Sequence, residues 1–304
     1  MSNCYLSIFI PTYNRSSKVC KQVKFFLEEI ENCSEVELVI SNNCSTDDTE
    51  KKLLDLCKSK ENVYYHCNSE NIGIVGNAYK SLEYTCGEYV WIVGDDDFLE
   101  KGVVNKVLSI LALHKDLNFV FLNHDAIYGN IVLNPSCYKG KYGLIDDTWF
   151  ETKEDFYNRS TSLVFTTSII HKRETLNTVI REIPLDGYLD YGWSYIAGLI
   201  AINKGNGFFV EDMYVHDQYR GVSWEHEKIA SINGCYNALS ILSKNGYTKR
   251  ETKWMQKKFI EQSPTVDFIV EEFLVGGKYF RMSCLLLSKM FFRKPKVILK
   301  KLFG

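Results

Sequence analysis

A chain of 304 residues, 45% hydrophobic and 14% aromatic, carries enough apolar material for one large α/β domain and a smaller appendage, which argues against a disordered chain. Its 36 Lys+Arg nearly balance 38 Asp+Glu, for a formal charge of −2, so no global basic field points to nucleic acid as a partner. Ten cysteines stand singly, at Cys4, Cys20, Cys33, Cys44, Cys57, Cys67, Cys86, Cys137, Cys235 and Cys284; with no C-x-x-C pair they read as scattered buried thiols in a reducing compartment rather than zinc or redox motifs.

The first apolar run, residues 6–10, is closed by Pro11 and suits a buried strand ending in a loop. Val19, Val23, Phe26, Leu27 and Ile30 then recur at helical spacing over residues 17–30, and residues 36–40 form the next strand. A helix opening near Thr46 and carrying Leu53, Leu54 and Leu56 leads to a short strand at residues 63–66. Residues 73–85 read as helix and residues 89–93 as a strand that Gly94 ends. Strand patterns return at residues 118–123, 162–171 and 207–210, with a helix over 188–203. Strands alternating with helices predict a Rossmann-like α/β fold with a mostly parallel sheet, whose ligands bind at the carboxyl ends of the strands. The catalytic domain is placed at residues 1–224, and residues 225–304 at a C-terminal helical region with breaks at Gly246, Pro264 and Gly276. The start carries no basic leader or cleavage site, and no apolar run approaches the ~20 residues a membrane span needs, so the protein is expected on the cytoplasmic side.

Three loops carry candidate chemistry. The first, Pro11-Thr12-Tyr13-Asn14-Arg15, offers a ring on which a base can stack and a guanidinium that can meet a phosphate; it also reads as an ordinary turn. In the second, residues 41–48, Asn42 can read a base edge, while Ser45 and Asp47 read as structural caps. The third is Asp95-Asp96-Asp97, directly after an apolar strand. Adjacent carboxylates repel one another, and a cation such as Mg2+ or Mn2+ would compensate them; a solvated acidic turn capping a helix is the alternative.

Four stretches occur in order: residues 8–15, residues 37–49, Asn71-Ile72-Gly73 with Asn77, and Gly87-Glu88-Tyr89-Val90 running into Trp91-Ile92-Val93-Gly94-Asp95-Asp96-Asp97. Together the sequence resembles the family 2 glycosyltransferases with the GT-A fold, over roughly its first third, and is most similar to the abequosyltransferase-like branch of bacterial surface-polysaccharide enzymes. The resemblance implies sugar transfer from a nucleoside diphosphate donor to a lipid-linked or oligosaccharide acceptor, with inversion. It implies a donor site built from Pro11, Thr12, Tyr13, Arg15, Asn42, Asn71, Asn77, Asp95, Asp96 and Arg220. Mn2+ or Mg2+ is implied at Asp95, Asp97 and His216, and Asp190 is implied as the general base, with Asp186, then Glu211 and Asp212, in reserve. His216 and Arg220 are expected in a loop after the last strand. Two positions depart from the family pattern: Asn42 replaces an Asp, and Gly94 stands where many relatives carry the first acid of the metal motif. A nucleotidyltransferase should open with a Gly-rich phosphate loop, which Pro11-Thr12-Tyr13-Asn14 is not; a non-catalytic carbohydrate-binding relative is the other alternative.

After Glu272 there is no acidic residue, and Lys278, Arg281, Lys289, Arg293, Lys294, Lys296, Lys300 and Lys301 are interleaved with Leu and Phe. This pattern predicts an interfacial helix on an anionic membrane surface, or else a helix packed on the catalytic domain with a basic edge.

Overall fold

The computed structural model describes residues 4–58, 60–115, 117–128, 131–134, 166–182, 207–218, 236–237, 239–244, 246–261, 269, 274 and 280–291. Asp186, Asp190, Arg220, the helix expected at 188–203 and most of the basic tail lie outside them.

Strand β1 (Leu6–Thr12) is buried almost throughout and lies between two parallel neighbours, β2 (Val36–Asn42) and β4 (Tyr89–Ile92), while β3 (Val63–Cys67) adds in parallel to β2. Continuous burial is what a strand covered on both faces requires, and it explains why residues 6–10 and 36–40 read as unbroken apolar runs. Beyond β4 the sheet is mixed. β8 (Ile169–Lys172) runs antiparallel between β4 and β6 (Phe119–Tyr128), β9 (Gly207–Gln218) runs parallel to β6, and β5 (Phe98–Leu99) closes the edge antiparallel to β9. The short β7 (Ile131–Asn134) pairs with β6.

Helix α1 (Ser16–Glu29) buries Val19, Val23 and Phe26 in one core cluster with Leu6, Ile8 and Ile10; Phe26 meets Trp91 edge to face, ring centroids 5.7 Å apart. Helix α2 (Thr49–Cys57) begins three residues later than Thr46 because Asp47 takes the capping role: its carboxylate accepts the Thr49 N–H at 3.0 Å. The helix expected over 73–85 is two, α3 (Gly73–Tyr79) and α4 (Ser81–Tyr84), divided at Lys80. Gly73 opens the first at φ +78°, a conformation that favours glycine.

Helix α5 (Val103–Leu113) was not anticipated. Its Val103, Val104, Val107, Ile110 and Leu111 fill the same core cluster. The strand expected at 162–171 is shorter: residues 166–168 form a 3-10 turn that leads into β8, and α6 (Arg173–Glu182) follows. Strand β9 is longer than residues 207–210 and reaches Gln218, with irregular register against β6 around Asn123.

The described C-terminal residues form a 3-10 turn at Leu239–Lys244 and helices α7 (Lys249–Glu261) and α8 (Phe280–Phe291). Leu286 and Leu287 of α8 are buried whereas Leu285 is exposed. No helix among the described residues is long and apolar enough to cross a membrane. The cysteines differ from expectation: those described are half-buried or, at Cys67 and Cys86, exposed, and all are unpaired.

Candidate donor site at the carboxyl ends of β1, β2 and β4

The parallel register brings the ends of β1, β2 and β4 together, and the three loops singled out in the sequence meet there. Asn14, in the left-handed region at φ 52°, ties the first loop to the second: its side-chain oxygen accepts the Thr46 N–H at 2.7 Å, and its own N–H donates to Ser45 Oγ at 2.8 Å. Ser45 and Asp47 thus hold the loops in place, as the capping reading expected. Tyr13 stays 40% exposed beside them, its ring open to a flat ligand.

The aspartates differ sharply in environment. Asp95 is only 5% exposed; Thr12 Oγ1 donates to its Oδ2 at 2.7 Å and Arg15 Nη1 to its Oδ1 at 2.9 Å. Burial pushes the Asp95 carboxyl above the ordinary range, against the pull of Arg15 and Thr12, and the Asp96 charge adds to the rise. Asp96 is half-buried and pairs with Arg15 at 3.2 Å and Lys18 at 2.7 Å. Asp97 folds back toward the strand end and accepts a hydrogen bond from the Thr167 hydroxyl, which in turn accepts the Gly94 N–H at 2.9 Å. The Thr167 carbonyl also accepts Trp91 Nε1–H at 2.8 Å, so this threonine is locked from three sides.

Gly94 acquires a physical reason at this point. A Cβ there would come within 3.0 Å of Asp97 Cγ and closer still to the carboxylate oxygen. The departure from the family motif leaves room for Asp97 to fold back.

Two residues expected at the donor are interior. Asn42 is 0% exposed; its side chain donates to Tyr65 Oη at 2.9 Å and accepts the Ser45 N–H at 3.0 Å. Asn77 is 2% exposed, donates to the Ser41 carbonyl at 3.0 Å, and accepts from Ser41 Oγ at 2.6 Å and Asn68 Nδ2 at 2.9 Å. Their amides shape the loops because the interior leaves a buried amide no cheaper arrangement than full hydrogen bonding. Asn71 is exposed, its side-chain oxygen accepting from Asn43 Nδ2 at 2.7 Å and the Gly73 N–H at 2.9 Å. Pro11 is half-buried at the end of β1.

His216 lies within β9, not in a loop beyond it. It pairs in register with Phe98, one residue past the triplet, and with Asp125 on β6. Its Nδ1 is 2.7 Å from Asp125 and its Nε2 is 3.1 Å from Glu100. The reserve candidates Glu211 and Asp212 are exposed on the same strand. Reading the sequence alone missed Lys18, Thr167, Asp125 and Glu100. Lys18 had a signal, one turn into the helix that Arg15 opens; the others become neighbours only through the sheet.

The comparisons with known proteins agree with this geometry. The family model for glycosyl transferase family 2 matches residues 7–176, more than half of the chain. The abequosyltransferase of Salmonella typhimurium is 37% identical over 207 residues, 64% of this chain and 52% of that protein, so the chain spans about half the relative's length. A GalNAc(5)-diNAcBac-PP-undecaprenol beta-1,3-glucosyltransferase of Campylobacter jejuni is 29% identical over 105 residues, 34% of this chain and 33% of that one. Among solved structures, S. aureus TarS in complex with UDP superposes with a TM-score of 0.65 at 17% identity, covering 88% of this chain and 75% of that one. A mannosyltransferase from Pyrobaculum calidifontis in complex with GDP-Man and Mn2+ gives 0.58 at 15% identity, covering 98% and 84%. At such identities the superpositions speak for the fold, which is GT-A. With the motifs in order along β1, β2 and β4 and the family match running through β8, the chain belongs to glycosyl transferase family 2 and is similar to its abequosyltransferase-like branch.

Proposed function

We propose that this protein transfers a sugar from a nucleoside diphosphate donor to a lipid-linked or oligosaccharide acceptor in bacterial surface-polysaccharide synthesis, inverting the anomeric centre. The observation that carries the reading is the convergence of Tyr13, Arg15 and the three aspartates at the carboxyl ends of parallel strands, where an open α/β sheet binds its ligands. Tyr13 offers a face to the base, and Arg15 with Lys18 forms a cationic pair that can turn from Asp96 toward a diphosphate. Family membership and the relatives' names support the reaction class.

Hard carboxylate oxygens from consecutive residues are the donor set that Mg2+ and Mn2+ take, so the residues fit such an ion. Asp97 and Asp95 are proposed to hold it with His216, whose Nδ1 is braced by Asp125 as ligand histidines commonly are. In the structure their ligand atoms do not all lie within 4.8 Å of one another, because Thr12 and Arg15 engage Asp95, Thr167 engages Asp97 and Glu100 faces His216 Nε2, so binding would exchange these contacts for the ion. When bound, the ion supplies charge to neutralise the diphosphate. Asp190, outside the described residues, is the proposed general base: it takes the acceptor hydroxyl's proton while Arg15 and Lys18 hold the leaving group. Arg220 is proposed at the diphosphate. The remaining proposals are a catalytic domain at residues 1–224, a helical region at 225–304, and peripheral attachment of the basic tail to the inner face of the membrane.

The test is nucleoside diphosphate release from UDP-, CDP- and GDP-sugars, with and without Mn2+. Release from at least one donor, lost in Asp97→Ala and strongly reduced in Asp190→Asn, is expected. Full transfer by Asp190→Asn would remove the base assignment, and no release under any metal and donor would remove the transferase reading.

A further inference from the structure

At the end of the sheet opposite the aspartate triplet, three donors far apart in the sequence meet. Cys4 precedes β1, Glu37 is the second residue of β2, and Cys86 lies in the loop before β4. Each offers one ligand atom, and the three atoms lie within 4.8 Å of one another. A tetrahedral site with two thiolates and one carboxylate needs donors ~3.5–3.8 Å apart, given metal–sulfur and metal–oxygen bonds of about 2.3 and 2.0 Å, so shifts of up to about 1 Å suffice, with Cys86 and Glu37, at 3.2 Å, moving slightly apart.

The surroundings hold the donors in place. Glu37 is 6% exposed, and its Oε1 accepts from Ser7 Oγ at 2.5 Å and from the Cys86 N–H at 2.6 Å. Its Oε2 accepts a hydrogen bond from the Cys86 thiol at 3.2 Å and faces the thiols. The Cys86 loop is pinned in turn: the Gly87 N–H donates to Ser7 Oγ at 2.8 Å, and Arg173 donates to the Gly87 carbonyl and to Thr85 Oγ1, both at 2.6 Å. Arg173 is within electrostatic reach of Glu37 and Cys86, so it offsets the net negative charge that two thiolates and a carboxylate leave around a divalent ion. Cys86 is exposed, which opens a path for the ion and a place for solvent as fourth ligand.

We propose that Cys4, Glu37 and Cys86 form a binding site for a borderline-soft divalent cation of the zinc class, separate from the oxygen-rich donor site. Binding breaks two S–H bonds and forms two metal–sulfur bonds, releasing two protons to solvent. Affinity therefore climbs with pH, by up to about a hundredfold per unit while both thiols are protonated.

Cobalt(II) titration of the phosphine-reduced, metal-free full chain tests this. One equivalent should give a thiolate-to-cobalt charge-transfer band that zinc abolishes. Cys4→Ser and Cys86→Ser should lose the band, and Glu37→Gln should weaken affinity at least about tenfold. Cys67→Ser and Asp97→Ala should keep it, the latter separating this site from the proposed catalytic one. Absence of the band, or its survival in the Cys4→Ser/Cys86→Ser double variant, overturns the proposal. Should the serine variants fail to fold, alkylation of the wild type decides: zinc should protect Cys4 and Cys86 from iodoacetamide in peptide maps, and equal labelling with and without zinc overturns the site.

Discussion

Thr167 shows how much of a site can rest on a residue with no motif of its own. Its hydroxyl joins the Gly94 N–H to the Asp97 carboxylate, so it sets where the third aspartate points. A hydrogen bond to a charged group contributes roughly 1.5–3 kcal/mol, so Thr167→Val should lower kcat/KM about 10- to 100-fold and raise the Mn2+ concentration needed for half-maximal rate. Thr167→Ser, which keeps the hydroxyl, should stay within a few-fold of wild type, and a valine variant with unchanged metal dependence would count against the role. Nothing in the sequence separates this threonine from its neighbours, whereas the aspartates were legible because like charges at a strand end demand compensation. His171 was hidden for the same reason. It sits in β8 between Val90 and Phe119, fully buried, with both ring nitrogens lacking a hydrogen-bond partner among the described residues. Burial pushes its pKa from 6.5 down to about 3, so below pH 6.5 the unfolded chain binds a proton that the folded chain refuses. This stability is complete above pH 6.5 and drains away as the pH falls toward 3. Urea unfolding should show wild type losing about 2 kcal/mol more than His171→Leu between pH 7 and pH 5; parallel losses would show that another group governs the acid limb.

Elements were readable where their signals were local. Helix α1 and strands β1 to β4 follow their apolar periods, but α5 did not announce itself, and its structure shows the cause. Its valines and leucines leave only a narrow polar face, and its start is not capped by its own sequence. Glu29, the last residue of α1, supplies the cap: its carboxylate accepts the Gly102 N–H at 2.9 and 3.0 Å and the Val104 N–H at 3.3 Å. Gly102 takes φ +87° to present those groups. A carboxylate at a helix N-terminus satisfies orphan donors and meets the positive end of the dipole. Glu29→Ala should therefore cost about 1 kcal/mol in chemical denaturation. Glu29→Gln, still an acceptor but uncharged, should lose less; a loss equal to that of alanine would assign the whole effect to the charge, and no loss would mean the charge is immaterial. The late start of α2 follows from Asp47, whose carboxylate accepts both the Thr49 and the Ser16 N–H, and Asn77 ties α3 to β2 shortly before the break at Lys80.

At the scale of the molecule, a parallel sheet was legible only as far as β4, because β-α-β repetition is a local pattern. The insertion of β8 between β4 and β6, and the return of β9 beside β6, depend on pairings across long stretches that no periodicity records. That arrangement gives the aspartate triplet a position between two parts of the sheet. Asp95 and Asp96 are held from the first part by Thr12, Arg15 and Lys18, while Asp97 is held from the second by the turn that leads into β8. A ligand engaging all three carboxylates would tie both parts together, so its binding energy should appear as stability of the whole domain rather than of one loop. At 100 times its dissociation constant, a ligand that binds only the folded state adds about 2.7 kcal/mol, or roughly 5–10 °C in melting temperature for a domain of this size. Nucleoside diphosphate with Mn2+ should raise the melting temperature by that order, and either alone by much less, if the carboxylates and the diphosphate share the ion. Thr167→Val should keep the response to nucleotide alone and lose most of the extra response to Mn2+, since it frees Asp97 without touching Tyr13 or Arg15. A variant that loses both responses together would place Thr167 among the nucleotide contacts instead.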